Sequence, residues 1–250
     1  MKKLILLALL CSGLLHAQNP APAADAAIHV SFKTIGFKFG RGDIFIKQEK
    51  GYAPLAIQSD CISVKSYAYA GPLVMPVYRK VKSADKVSYQ PVGQVTFPAL
   101  DPKQTARFLL IFSGGATAGA MNINAVNDDL AAFPLQTIRV INALPGQAGV
   151  MVNKTSYVIP SGQIQCFPLQ SENRAEIHVA VQHHDKWVEA NNNVYSCDST
   201  SRLTIFLVNT TSPNAPAYQP PSIDFLSLSD RPSEKEKAPQ GDSVAAATQR

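Results

Sequence analysis

Apolar and polar positions alternate with a period of two along most of this chain. Ile28, Val30 and Phe32 interleave with His29, Ser31 and Lys33, the pattern of a strand with one buried face. The apolar set then moves to odd positions at Ile35, Phe37 and Phe39, and a slip without a break predicts a β-bulge near Lys33 and Thr34. Gly40-Arg41-Gly42-Asp43 predicts a turn, followed by a return strand over 44–47. Further strands are expected over 53–57, 61–69, 74–81, 87–97, 107–112 and 121–126. The polar stretch from Asn127-Asp128-Asp129 to Phe133-Pro134 breaks the pattern and marks a domain boundary.

The same pattern then restarts. Strands are expected over 137–144, 150–152, 156–159, 163–167, 175–182, 186–195 and 202–208, separated by turn residues such as Pro145-Gly146, His184-Asp185 and Asn191-Asn192-Asn193. Leu203 to Val208 is apolar on both parities, as in a central strand covered on both faces. One more edge strand is expected over 223–228, and no segment shows a capped helical period. Short strands at this spacing predict an all-β fold of two consecutive antiparallel β-sandwich domains, residues 27–127 and 135–228. Residues 18–26, rich in Ala and Pro, read as a flexible leader, and 229–250, charged and poor in apolar residues, as a disordered tail.

The first seventeen residues change the picture of where the protein works. Lys2 and Lys3 precede an apolar run, Leu4 to Leu10, and Leu15-His16-Ala17 ends on a small residue, which is the layout of a signal peptide cleaved after Ala17. An export route to the periplasm or the outside of the cell follows. The apolar run falls short of the roughly 20 residues a membrane span needs, so no span is expected after cleavage. Cys11 as a lipid-attachment site is disfavoured because Leu9 and Leu10 stand where small residues are wanted.

Cleavage also removes Lys2 and Lys3, taking the formal charge from +5 to +3. Lys33, Lys38, Arg41, Lys47 and Lys50 are spaced along strands and turns rather than gathered, so no nucleic-acid partner is expected. Of the four cysteines, Cys61, Cys166 and Cys197 remain in the mature chain. Cys166 and Cys197 form a possible disulfide in an oxidising compartment, with three buried free thiols as the alternative.

Few residues offer chemistry. His178, His183 and His184 do not converge in a strand: His178 and His184 share a face about 20 Å apart at about 3.3 Å per residue, and His183 points the other way. His183-His184-Asp185 reads as a hairpin tip. The glycine-rich run Ser113 to Gly119 lacks the Lys-Ser or Lys-Thr of a phosphate cradle, and no Gly-x-Ser-x-Gly elbow is present. No cofactor, metal site or catalytic residue is expected. Tyr67, Tyr69, Tyr78, Tyr89, Tyr157, Tyr195 and the single tryptophan, Trp187, supply aromatic surface of the kind that sugars and proteins contact, although most are expected to serve the core. Trp187, His183 and His184 are therefore the candidate ligand contacts, with a sandwich-core role as the alternative for Trp187.

Arg139-Val140-Ile141-Asn142-Ala143-Leu144-Pro145, then Val150-Met151-Val152-Asn153 and Ile159-Pro160-Ser161-Gly162, resemble the opening of immunoglobulin-like or transthyretin-like modules in bacterial exported proteins. The likeness covers about 25 residues and departs at Pro160-Ser161-Gly162, where a residue separates proline from glycine. It implies immunoglobulin-like sandwiches at the cell envelope and carries over no catalytic residue. The expected function is a non-catalytic binding or scaffolding module whose partner is an envelope protein or a glycan. The alternatives are a secreted glycan-active hydrolase and a structural subunit that assembles through strand edges.

Overall fold

The computed structural model describes residues 27–37, 43–83, 86–101, 104–114, 119–169, 173–212, 214–216 and 218–233. The stretches read as signal peptide and leader, the turn expected at Gly40-Arg41-Gly42, most of the glycine-rich run, and the chain from residue 234 lie outside the described residues. The alternating pattern folds into two consecutive β-sandwiches. The first holds β1 (Ile28–Phe37), β2 (Ile44–Gln48), β3 (Gly51–Leu55), β4 (Tyr67–Gly71), β5 (Val74–Ser83), β6 (Lys86–Thr96), β7 (Thr105–Gly114) and β8 (Met121–Asn127). The second holds β9 (Thr137–Asn142), β10 (Ala148–Val152), β11 (Thr155–Ile159), β12 (Ile164–Pro168), β13 (Arg174–His183), β14 (Lys186–Ser196), β15 (Arg202–Asn209) and β16 (Ile223–Asp230). No helix among the described residues is long and apolar enough to cross a membrane.

The two sandwiches share one topology. The sheets of the first run β4-β1-β7-β8 and β3-β2-β5-β6, and those of the second run β12-β9-β15-β16 and β11-β10-β13-β14, the same orders displaced by eight strands. The long hairpins correspond closely: β5 and β6 begin at Val74 and Lys86, β13 and β14 at Arg174 and Lys186. Each hairpin carries one register shift, at Val77/Tyr78 in the first and Val179/Ala180 in the second. Neither sandwich is wholly antiparallel, because β1 pairs parallel with β7 and β9 with β15. The chain crosses to the other sheet and back between these strands, so they meet side by side running the same way.

Two further expectations are corrected. The bulge at Lys33 and Thr34 is absent: β1 and β7 stay in one register from His29 opposite Thr105 to Phe37 opposite Ser113. The slip instead marks a change in which face is buried. Ile28, Val30 and Phe32 point into the first sandwich, whereas Ile35 and Phe37 point out of it onto the second. The strand expected over 61–69 forms only from Tyr67, since Val64 is 95% exposed and Ser63 is turned inward, its hydroxyl accepting a bond from the Thr34 amide at 3.0 Å.

Three apolar clusters result. One fills each sandwich, and the third joins them, with Ile35, Leu109 and Val126 of the first packed against Ile141, Phe206 and Val208 of the second. The sheet β4-β1-β7-β8 therefore lies on its own counterpart, β12-β9-β15-β16, and the outer sheets stand at opposite ends of the stack. This explains the two-sided apolarity of β15, whose residues are buried from Arg202 to Val208.

Polar residues lock the same junction. Arg202 pairs with Asp128 at 2.6 Å and Asp230 at 2.8 Å, Arg139 pairs with Asp128 at 3.0 Å, and Lys33 pairs with Asp230 at 3.0 Å. The Phe133 ring faces both guanidinium groups, 4.0 Å from that of Arg139 and 4.7 Å from that of Arg202. Burial would raise the Asp230 carboxyl, but Lys33 and Arg202 outweigh it and hold the group below the ordinary carboxylate range. Asp230 also shows that order extends two residues past 228, into the stretch expected to be tail, because its carboxylate ties β1 to β15.

Candidate functional site

The open face of the outer sheet β11-β10-β13-β14 carries a groove of about 380 Å³ whose lining includes Gly149, Met151, Tyr157, Val158, His178 and Trp187. Strand alternation sets it out: residues pointing away from the core on β13 and β14 are Glu176, His178, Trp187 and Glu189, while Ile177, Val179 and Val181 fill the interior. Trp187 is 46% exposed, so it is not the core tryptophan of the sandwich. Its ring packs against Gly149, where an added Cβ would stand 3.2 Å from ring carbon Cζ3. A side chain there would press on the indole, which would have to shift by a few tenths of an ångström to admit it. The indole stays half-exposed, with Val158, opposite Gly149, exposed beside it, whereas Tyr157 stands opposite the core residue Val150 and turns inward onto Phe167.

His178 supplies the polar side of the groove. Its Nε2 lies 3.1 Å from a Glu176 carboxylate oxygen and its Nδ1 lies 3.3 Å from one of Glu189. Hydrogen bonds to Glu176 first, and then to Glu189, raise the imidazole above its ordinary value. The Glu189 carboxyl is held low by the Asn192 amide, which donates at 2.7 Å, and then by His178. The arrangement can hold a proton and offer acceptors. It is poorly set for acyl transfer, because Ser156 stands opposite Met151, which stands opposite His178, two strands or about 9–10 Å away.

The structure separates the candidate ligand contacts. Trp187 lies on the open face, opposite Gln182. His183, one residue along, faces the other way, and its Nε2 donates to the Tyr218 carbonyl at 3.2 Å. His184 and Asp185, with φ of 46° and 61°, form the expected two-residue hairpin tip and border a separate cleft of about 580 Å³ with Pro145 and Pro221. His178 takes the place that His183 and His184 were expected to hold. The signal for it was available: it shares parity with Glu176 on one strand. Among the described residues, no group of three His, Cys, Asp or Glu side chains could hold a metal ion.

The bridge between Cys166 and Cys197 is not formed, and the three cysteines are free. Cys166 stands opposite Arg139 on the side of the sheet that faces the first sandwich, whereas Cys197 lies in the core, its thiol donating to the Ser201 carbonyl at 3.2 Å. The side chains leave opposite faces, which a disulfide does not tolerate. Burial pushes both thiols up. Only Cys197 is buried, and Cys61 is exposed.

The remaining tyrosines divide. Tyr67 and Tyr69 are core residues and Tyr195 packs against the second core. Tyr78 and Tyr89 lie instead on the open face of the first sandwich's outer sheet, in a cluster with Phe45 and Tyr52. No protein-family model matches the sequence, and neither does any curated protein.

Proposed function

We propose that the mature protein is an exported, non-catalytic binding module, and that its second sandwich takes a glycan chain on the open face centred on Trp187. The observation that carries this is the half-exposed indole packed on Gly149 and bordered by Val158, His178 and Glu189. A sugar ring offers an apolar face for the indole and equatorial hydroxyls for flanking acceptors, and aromatic residues with one apolar side and one wet side suit that role. The export signal read over residues 1–17 supports a site of action for such a module at the envelope or outside the cell. Retention of the mature protein on insoluble cellulose, xylan and chitin tests the proposal. Wild type should be retained by at least one of them and Trp187→Ala should not, with Gly149→Ala intermediate; retention that survives both substitutions would contradict it.

One observation favours the hydrolase as a second reading. Glu176 and Glu189 flank a single imidazole, which sets their separation on the roughly 5–10 Å scale of glycosidase carboxylate pairs. Against it, both carboxylates are more than half exposed and Glu189 is held low, whereas a proton donor to a leaving sugar needs a raised carboxyl. Release of reducing ends from the retained polysaccharide, abolished in Glu189→Gln, would establish the hydrolase instead.

A further inference from the structure

The outer sheet of the first sandwich occupies the place equivalent to the Trp187 sheet, at the far end of the stack, and its chemistry is different. The strands β2, β3, β5 and β6 contain Lys47, Arg79, Lys80, Lys82 and Lys86 and no Asp or Glu. The corresponding strands of the second sandwich carry Glu176 and Glu189 on their open face. On the open face of the first, four rings form a roof across the sheet. Tyr52 and Tyr89, from the two edge strands, stack with centroids 3.8 Å apart, and Tyr78 and Phe45 meet them edge-on at 5.0 and 5.1 Å.

Lysines flank this roof. Lys47 stands opposite Tyr52 and Lys80 opposite Tyr89. Lys82 shares the Lys80 face of β5, about 7 Å further along at strand spacing. None of the three forms an ion pair with a described residue. A single small anion would gather its cations around one point. Here they are strung along β5 and β2 with rings between them, which fits an extended chain carrying repeated negative charges and apolar ring faces.

We infer that this face is a second binding site, and that its ligand is an acidic polysaccharide, with the ring cluster meeting the apolar C–H surface of the sugars and the lysines meeting carboxylates. Single-stranded nucleic acid also combines charge with stacking surfaces, but it draws its affinity from successive rings each open to a base plane. Tyr52 and Tyr89 cover one another at 3.8 Å, so the cluster meets a ligand as one continuous apolar patch between the lysines rather than as a row of separate stacking platforms. Because the site and the Trp187 groove lie on different sheets, either can fail while the other stands.

Affinity electrophoresis of the full mature protein through gels containing polygalacturonate tests the inference, with fully methyl-esterified polygalacturonate as the uncharged control. Wild type and Trp187→Ala should both be retarded by the acid form and not by the ester. Lys47→Glu/Lys80→Glu should weaken the retardation at least about tenfold, each reversed contact contributing modestly at an exposed site. Tyr52→Ala should weaken it as well, and wild-type far-ultraviolet dichroism and urea midpoint in both variants would show that they are folded. Equal retardation by acid and ester, no retardation, or retardation that survives the lysine reversals would overturn the inference. So would preferential displacement by oligothymidylate, or a concentration-dependent rise in mass that the lysine reversals abolish, which would make a second copy the occupant.

Discussion

Arg202 carries more of the junction than any other side chain. It is 3% exposed and bonds Asp128, Asp230 and the carbonyls of Asp128 and Phe133. Removing one partner of a buried ion network leaves the others uncompensated, so Arg202→Met should lower the free energy of unfolding by about 3–5 kcal/mol in urea titrations. Asp230 gives the network a pH signature. Its folded carboxyl titrates below the ordinary 3.8, so its contribution is complete above about pH 4 and is lost as pH falls through the folded value. Asp230→Asn should lower stability at pH 6 and flatten its decline between pH 4 and 2. His178 has the opposite sign. Its folded value is raised above 6.5, so the bonds to Glu176 and Glu189 persist at low pH and are lost as pH rises through the folded value. Trp187 shares its groove, so its emission should titrate with a midpoint above 6.5, and His178→Gln should abolish the transition. The network was not legible as a site beforehand, because Asp128 and Asp129 read as part of a domain boundary and Arg139 as a strand residue, whereas the parity that His178 shares with Glu176 could have been read. The Arg202–Asp128 and Lys33–Asp230 pairs join residues 74 and 197 positions apart, which no local pattern reports.

At the scale of elements, the period-two pattern was legible almost throughout, because each sandwich core takes every second residue of nearly every strand. It failed instructively in β1. A parity slip has two physical causes, an inserted residue or a second buried face, and one strand in isolation does not distinguish them. Leu203 to Val208 held the missing half of the answer, since a strand apolar on both sides needs a cover on each and β1 supplies part of it. The consequence is testable. Phe206 stacks against Phe37 with centroids 6.1 Å apart and belongs to neither sandwich core, yet Phe206→Ala should cost about 3–5 kcal/mol in the same urea titrations. A cost below about 1 kcal/mol would mean that the junction contributes little. The Trp187 groove was half legible: the tryptophan stood out by its rarity, but its seat on Gly149 depends on a strand that lies opposite Ala180, in the register set by β10 and β13.

The molecule as a whole consists of four stacked sheets in which like packs on like at the centre. Each sandwich thereby spends its inner sheet on the junction and presents its outer one, and the two outer faces differ in sign and in aromatic layout. Coupling through the central cluster predicts a single unfolding transition, with Trp187 emission reporting the second sandwich and near-ultraviolet dichroism of the Phe45, Tyr52, Tyr78 and Tyr89 cluster reporting the first. Midpoints separated by more than experimental error would show that the sandwiches unfold independently. The functional claim rests on the outer face of the second sandwich, where the chain's one tryptophan is both the proposed contact and the reporter. Its most direct test is a fluorescence titration with soluble oligosaccharides of the polysaccharide that retains the protein. The account predicts a saturable blue shift, as the exposed indole is covered, and weaker binding in Gly149→Ala at the same concentrations. Binding that saturates by calorimetry while Trp187 emission stays unchanged would place the ligand elsewhere and contradict the account.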